Sequence, residues 1–149
     1  MKKSKTKTKE KSKYCPSNLF CHEKSPDIGL LLARLTIGLT MALTHGWGKI
    51  PPSDGLVAGV TGMGFPLPGF FAWAASLSEF AGGILIAVGL CTRPAAFFMA
   101  FTMGVAFFVV HSADPFQTKE LAFLYMNFAV LFMFTGAGRY SLDKKFCCK

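Results

Sequence analysis

Four apolar runs, separated by glycine, proline and charged residues, organise the sequence. The first extends from Ile28 to about Thr44, the second from Phe70 to Leu90, the third from Ala95 to His111, and the fourth opens at Glu120 and ends in GAG at 136–138. A membrane-crossing helix needs about 20 predominantly apolar residues. All four runs meet or approach that length, so the pattern predicts an all-α integral membrane protein built as a four-helix bundle.

The punctuation between the runs fits this division. Asp27 is placed to cap the first helix, and Gly46, Gly48, Pro51 and Pro52 to end it. Between Ile50 and Gly69 the chain is rich in glycine and proline. There Ser53 or Asp54 would cap a short interfacial helix with Leu56, Val60 and Met63 on one side. Gly89, Arg93 and Pro94 make a tight turn, so the second and third helices form an antiparallel hairpin. SADPFQTK then links the third helix to the fourth.

Polar residues inside the apolar runs are the candidate sites. Glu79 lies near the middle of the second run, where a lone charge costs about 2.5 to 3.5 kcal/mol. Ala75, Glu79, Gly83 and Ala87 share one face, which aims the carboxyl at a stripe where neighbouring helices approach closely. Arg34 shares a face of the first helix with Gly38, Met41 and His45. Counted inward from the same membrane side, Arg34 and Glu79 differ in depth by about 7 to 8 Å, so the expected buried polar centre is Arg34, Glu79 and the mid-bilayer amide Asn127. Two readings of it stay open: an ion pair that fixes helix register, and a proton-exchanging carboxyl beside a quinone or small-molecule pocket.

A second group belongs to the other end of the bundle. His45, His111 and Glu120, with Lys49 and Trp47 near in sequence, are expected to form an extracytoplasmic polar cluster, either as residues in wet headgroup surroundings or as a proton or ligand inlet. Metal or haem ligation by His45 and His111 is disfavoured, because two separate helices supply them without a recognisable spacing. No metal site is expected.

Composition narrows the picture further. Of the 149 residues, 52% are hydrophobic, and the mean hydropathy is +0.41, too apolar for an ordinary soluble domain. The net charge of +8 comes largely from a tail with seven lysines between Lys2 and Lys13. Such a tail suits an anionic lipid surface and lacks the structured basic or aromatic elements of a nucleic-acid surface. Residues 1–27 are thus expected to be a disordered basic cytoplasmic tail, 28–138 the membrane domain, and 139–149 a basic cytoplasmic C-terminal tail. With the lysine tail, Arg93 and Arg139 on one side and Lys49 and Lys119 on the other, the charge bias puts both termini in the cytoplasm, with Arg93 and Arg139 at the boundary. Cys15, Cys21 and His22 do not complete a zinc pattern. Cys91, Cys147 and Cys148 form no disulfide framework.

Several pieces follow one another in a fixed order along the chain: LLLARLTIGL, the HGWGKI exit, the GMGFPLP loop, the E-x-x-G-G-x-L-x-x-x-G-L-x-T-R pattern from Glu79 to Arg93, and GAGRYSLD. In these, from about Asp27 to Asp143, the chain resembles the DoxX family of small bacterial membrane proteins. Gly136, Ala137 and Gly138 stand where family members more often have Gly-Pro-Gly, a change at a helix stop. The resemblance implies a four-helix bundle in a bacterial inner membrane. It also implies a multi-pass subunit supporting a quinone-linked or thiol/oxidative-stress oxidoreductase process, with catalytic cofactors on a soluble or membrane redox partner. No cofactor motif occurs in the chain, and quinone is the one small molecule the reading suggests. A small-solute permease or channel, which requires a homo-oligomer, and a structural membrane adaptor remain alternatives from other classes.

Overall fold

The computed structural model describes residues 25–147, and among these it is helical without any strand. Helix α1 (Ser25–Thr40) continues through a π-helical turn (Met41–Gly46) and a 3-10 turn (Trp47–Lys49). A short helix α2 (Asp54–Gly62) precedes α3 (Pro68–Val88). Next come α4 (Thr92–Val105), extended by a second π-helical turn (Ala106–Val110), and α5 (Phe116–Thr135). Helix α6 (Leu142–Cys147) closes the described chain. The N-terminal lysines and Cys15, Cys21, His22 and Cys148 lie outside the described residues.

Three helical stretches, Pro26–Lys49, Pro68–Val88 and Thr92–Val110, are long and apolar enough to cross a membrane. Their outward faces suit that solvent: Phe97, Phe98 and Phe101 on α4 and Leu32 and Leu39 on α1 are all exposed. Apolar surface of this extent marks a membrane-facing protein. The interior is a cluster of Met41, Ile86, Ala96, Met99, Met103, Tyr125, Ala129 and Phe132, drawn from the π-helical turn after α1 and from α3, α4 and α5.

Small residues let α1 and α3 touch. A Cβ added at Gly38 would lie 2.5 Å from the Gly83 carbonyl oxygen, and one at Gly46 would lie 2.5 Å from Phe80 Cα. Packing at backbone contact is how helices associate where no hydrophobic effect drives them together. Gly46 therefore does not end the first helix, as its sequence context suggests. It lets the helix run on against α3 and carries Lys49 to the Glu79 level.

The tight turn between α3 and α4 forms at Gly89 as predicted, but Arg93 and Pro94 already lie in the first turn of α4. Gly89 has φ +72°, and the Leu90 amide reaches back to the Leu85 carbonyl at 2.9 Å, a left-handed helix stop that glycine adopts without strain. Ser53 caps α2, its hydroxyl accepting from the Leu56 amide at 3.3 Å. Asp27, by contrast, lies within the first turn of α1, and its carboxylate accepts the Arg139 backbone N–H at 3.0 Å. The aspartate thus ties the far end of the chain to the first helix instead of capping it.

Candidate functional site

Glu79 is held by Lys49. The lysine Nζ donates to both carboxylate oxygens, at 2.8 and 2.6 Å, and the glutamate side chain is only 4% exposed against 40% for the lysine. A buried carboxylate without a counter-ion would be costly, and the extended end of α1 supplies one from the same chain.

The pair forms one wall of a cavity of about 230 Å³. His45 and Met41 come from the π-helical turn after α1, Met103 from α4, Ala106 from the π-helical turn after it, His111 from the loop beyond, and Tyr125 from α5. π-Helical turns are rare and concentrate at functional sites, because the extra residue per turn re-aims a side chain. Here both of them border the same space. The His45 and Tyr125 rings meet edge to face with centroids 5.5 Å apart. At the open end stand exposed Thr118 and partly exposed Lys49 and His111, and the histidine Nδ1 lies 2.7 Å from Asp114 Oδ2.

Arg34 occupies a different place. It is wholly buried, and its guanidinium donates to the carbonyls of Ile86 (3.3 Å) and Tyr140 (2.7 Å). The Ile86 carbonyl belongs to the last turn of α3, the negative end of the helix dipole, where a cation is favoured. Around it the segment after α5 folds back over the helix ends. The Asp143 carboxylate accepts from the backbone amides of Cys91 (2.7 Å) and Thr92 (3.0 Å), and the Asp143 amide donates to the Gly89 carbonyl at 2.8 Å. Burial pushes the Asp143 carboxyl up. The Thr92 and Cys91 hydrogen bonds and the nearby Arg34 charge outweigh that effect and hold it below the ordinary aspartate value.

The expected Arg34–Glu79 centre is therefore two centres. Arg34 contacts Ile86, seven residues along α3 from Glu79, or about 10 Å by helical rise. The depth count failed because it ended α1 near Thr44, whereas the helix continues to Lys49, a nearer cation. Asn127 belongs to neither centre. It is exposed and donates to the Phe123 carbonyl one turn back on its own helix, at 2.8 Å.

Of the second predicted group, His45, Lys49 and His111 do meet, and they meet around Glu79. Glu120 is exposed and does not line the cavity. The buried stripe of α5 is Tyr125, Ala129 and Phe132, and neither Glu120 nor Asn127 belongs to it. Arg93 and Arg139 are exposed, with Arg139 Nε 3.9 Å from Asp27. Tyr125 and Asp114 are functional candidates that pattern reading missed: α5 is apolar all round, so its periodicity does not choose a face, and Asp114 looks like an ordinary turn residue. Among the described residues no group of three His, Cys, Asp or Glu side chains is placed to hold a metal ion.

Comparison with known proteins agrees with this architecture. The family described as DoxX matches residues 29–112. The chain is 36% identical over 128 residues to the inner membrane protein YqjF of Escherichia coli (strain K12), covering 82% of this chain and 95% of that one. It is 31% identical over 121 residues to the putative oxidoreductase CatD of Bacillus subtilis (strain 168), covering 80% of this chain and 88% of that one. The inner membrane protein YphA of Escherichia coli (strain K12) is 31% identical over 126 residues, with 78% and 89% covered. No solved structure matches the chain. A family match spanning the first three long helices, and relatives aligned over most of their length, establish that this helical membrane protein belongs to the DoxX family.

Proposed function

We propose that the protein is a multi-pass inner-membrane subunit of a quinone-linked oxidoreductase system, with the Lys49–Glu79 cavity as its quinone-facing, proton-exchanging site. One observation carries this reading: a carboxylate almost closed to water lies beside a lysine, two histidines and a tyrosine around a space of about 230 Å³. Apolar cavities of about 150 Å³ hold a benzene ring, so a single quinone ring fits. Lys49, His45 and Tyr125 are the side chains suited to donate hydrogen bonds to its oxygens. A bound quinone would supply the electron acceptor, while Glu79 and the histidines hold the protons that its reduction consumes. The oxidoreductase name of one relative supports the same reading.

In this reading α5 makes the fourth crossing. Both termini then lie in the cytoplasm and the cavity opens on the opposite face, as the lysine distribution favours. Reporter fusions at the C-terminus and in the 112–115 loop test the orientation.

The binding test is titration of the purified protein, in lipid nanodiscs, with a short-tailed benzoquinone. Binding is expected, and Glu79→Gln and His45→Phe should each weaken it at least tenfold. Absence of binding, or equal affinity in both variants, would discard the quinone assignment; flux of a small solute through reconstituted protein, abolished by Glu79→Gln, would put a permease in its place.

A further inference from the structure

Glu79 lines the wall of the cavity, at whose open end stand Lys49, His111 and Thr118. The Glu79 side chain is 4% exposed, and its side-chain partner is Lys49. Across the space, His111 is about one-third exposed, borders the cavity with one part of its surface, and has Nδ1 2.7 Å from Asp114 Oδ2. A histidine whose Nδ1 faces a carboxylate has its other ring nitrogen, Nε2, available to take up and pass on a proton. Between the two groups lie about 230 Å³ bordered by His45, Lys49, Thr118 and Tyr125 as well as by methionine, leucine and alanine side chains, room for several waters with polar partners at hand.

We infer that the cavity is a water-filled proton inlet, in which His111, oriented by Asp114, passes protons between outside water and Glu79. The inference rests on the reading of this cavity as a proton-exchanging site and adds where the protons enter. In each passage a proton from outside adds to Nε2 of neutral His111 and gives the imidazolium, which Asp114 stabilises. The imidazolium releases a proton to the cavity water, and the last water gives one to the Glu79 carboxylate. Neutral Glu79 no longer holds Lys49 as a counter-ion, so the lysine is released towards solvent.

The groups facing this route come from every element around it. They are Lys49 and His45 at the end of α1, Glu79 on α3, His111 and Asp114 after α4, and Tyr125 on α5. Lys119 stands beside the inlet, with Nζ 3.4 Å from the Ser112 carbonyl. His111 is a positioning and transfer residue at the mouth and not one of the groups that would hold a ligand.

The test uses purified full-length protein in nanodiscs and no quinone. Infrared spectra after rapid acidification follow the protonated-carboxyl band that is lost in Glu79→Gln. In His111→Ala the band is expected to rise at least tenfold more slowly to the same final amplitude, and added imidazole should restore the rate. Asp114→Asn should slow it less. An unchanged rate in His111→Ala, a slowed rate that imidazole does not restore, or no titrating Glu79 band would overturn the inference. Because quinone is absent, the inlet can fail while quinone binding stands, and the reverse.

Discussion

The two ends of the bundle both bury charge, and they do so in opposite ways. At the end that holds Arg34, the charged and polar groups are tied to backbone: the guanidinium to the Ile86 and Tyr140 carbonyls, Asp143 to the Cys91 and Thr92 amides, Asp27 to the Arg139 amide. At the end that holds Glu79, side chains pair with side chains and face an open space. Backbone partners cannot leave without unfolding a helix end, whereas Lys49 and His111 can swing away. The first arrangement suits a fixed clasp, and the second suits exchange.

The largest expected effect tests this difference by placing a valine side chain at each end. A Cβ at Gly89 would overlap the Arg34 guanidinium, and the residue has φ +72°. Gly89→Val should therefore cost more than about 3 kcal/mol, seen as loss of monodisperse protein in mild detergent. Ala122 borders the cavity, so Ala122→Val has room and should change the thermal midpoint by less than about 1 kcal/mol equivalent. Equal damage from both would mean that the cavity end is packed as tightly as the clasp.

How much of this was readable before the structure differs between the same two ends. The all-helical class, three membrane-length helices and the Gly89 turn follow from hydropathy and from glycine and proline, which act locally. The burial of Glu79 and Arg34 also follows, because a charge in an apolar run must be shielded. Their partners do not, since a partner depends on where helices end and how they cross. Gly46 illustrates the difficulty: the same residue is a helix stop by propensity and a close-approach site against Phe80 in the packed protein. The C-terminal clasp was hidden for another reason. Tyr140 contributes only its carbonyl to Arg34, and a backbone acceptor leaves no mark in the side-chain pattern.

A smaller effect separates the roles of Lys49 and Glu79. Lys49→Met leaves a buried carboxylate without its cation, which should cost about 2 kcal/mol, less than a fully buried broken pair because the lysine is partly exposed. Glu79→Gln alone removes the charge and should cost less. In the double variant Lys49→Met with Glu79→Gln, most of the loss should be recovered, since no unpaired charge remains. Additive losses in thermal unfolding would show that the ion pair contributes little and that the two side chains matter separately.

The smallest expected effect is the pH dependence of the clasp. Asp143 is held below its ordinary value of 3.8, so it binds protons less readily folded than unfolded. A depressed carboxyl contributes stability that is fully present above the unfolded value and is lost as pH falls through the folded one. The loss should therefore fall below about pH 4 and not near neutrality. Because Asp143 is partly exposed and screened, the effect should be a shift of about 2 °C between pH 5 and pH 3. Asp143→Asn should lower the midpoint at pH 5 and remove that part of the pH dependence. If the Asn variant instead keeps the full acid shift, the acid-labile contact lies elsewhere, with Asp27 against Arg139 the next to test at the same end of the bundle.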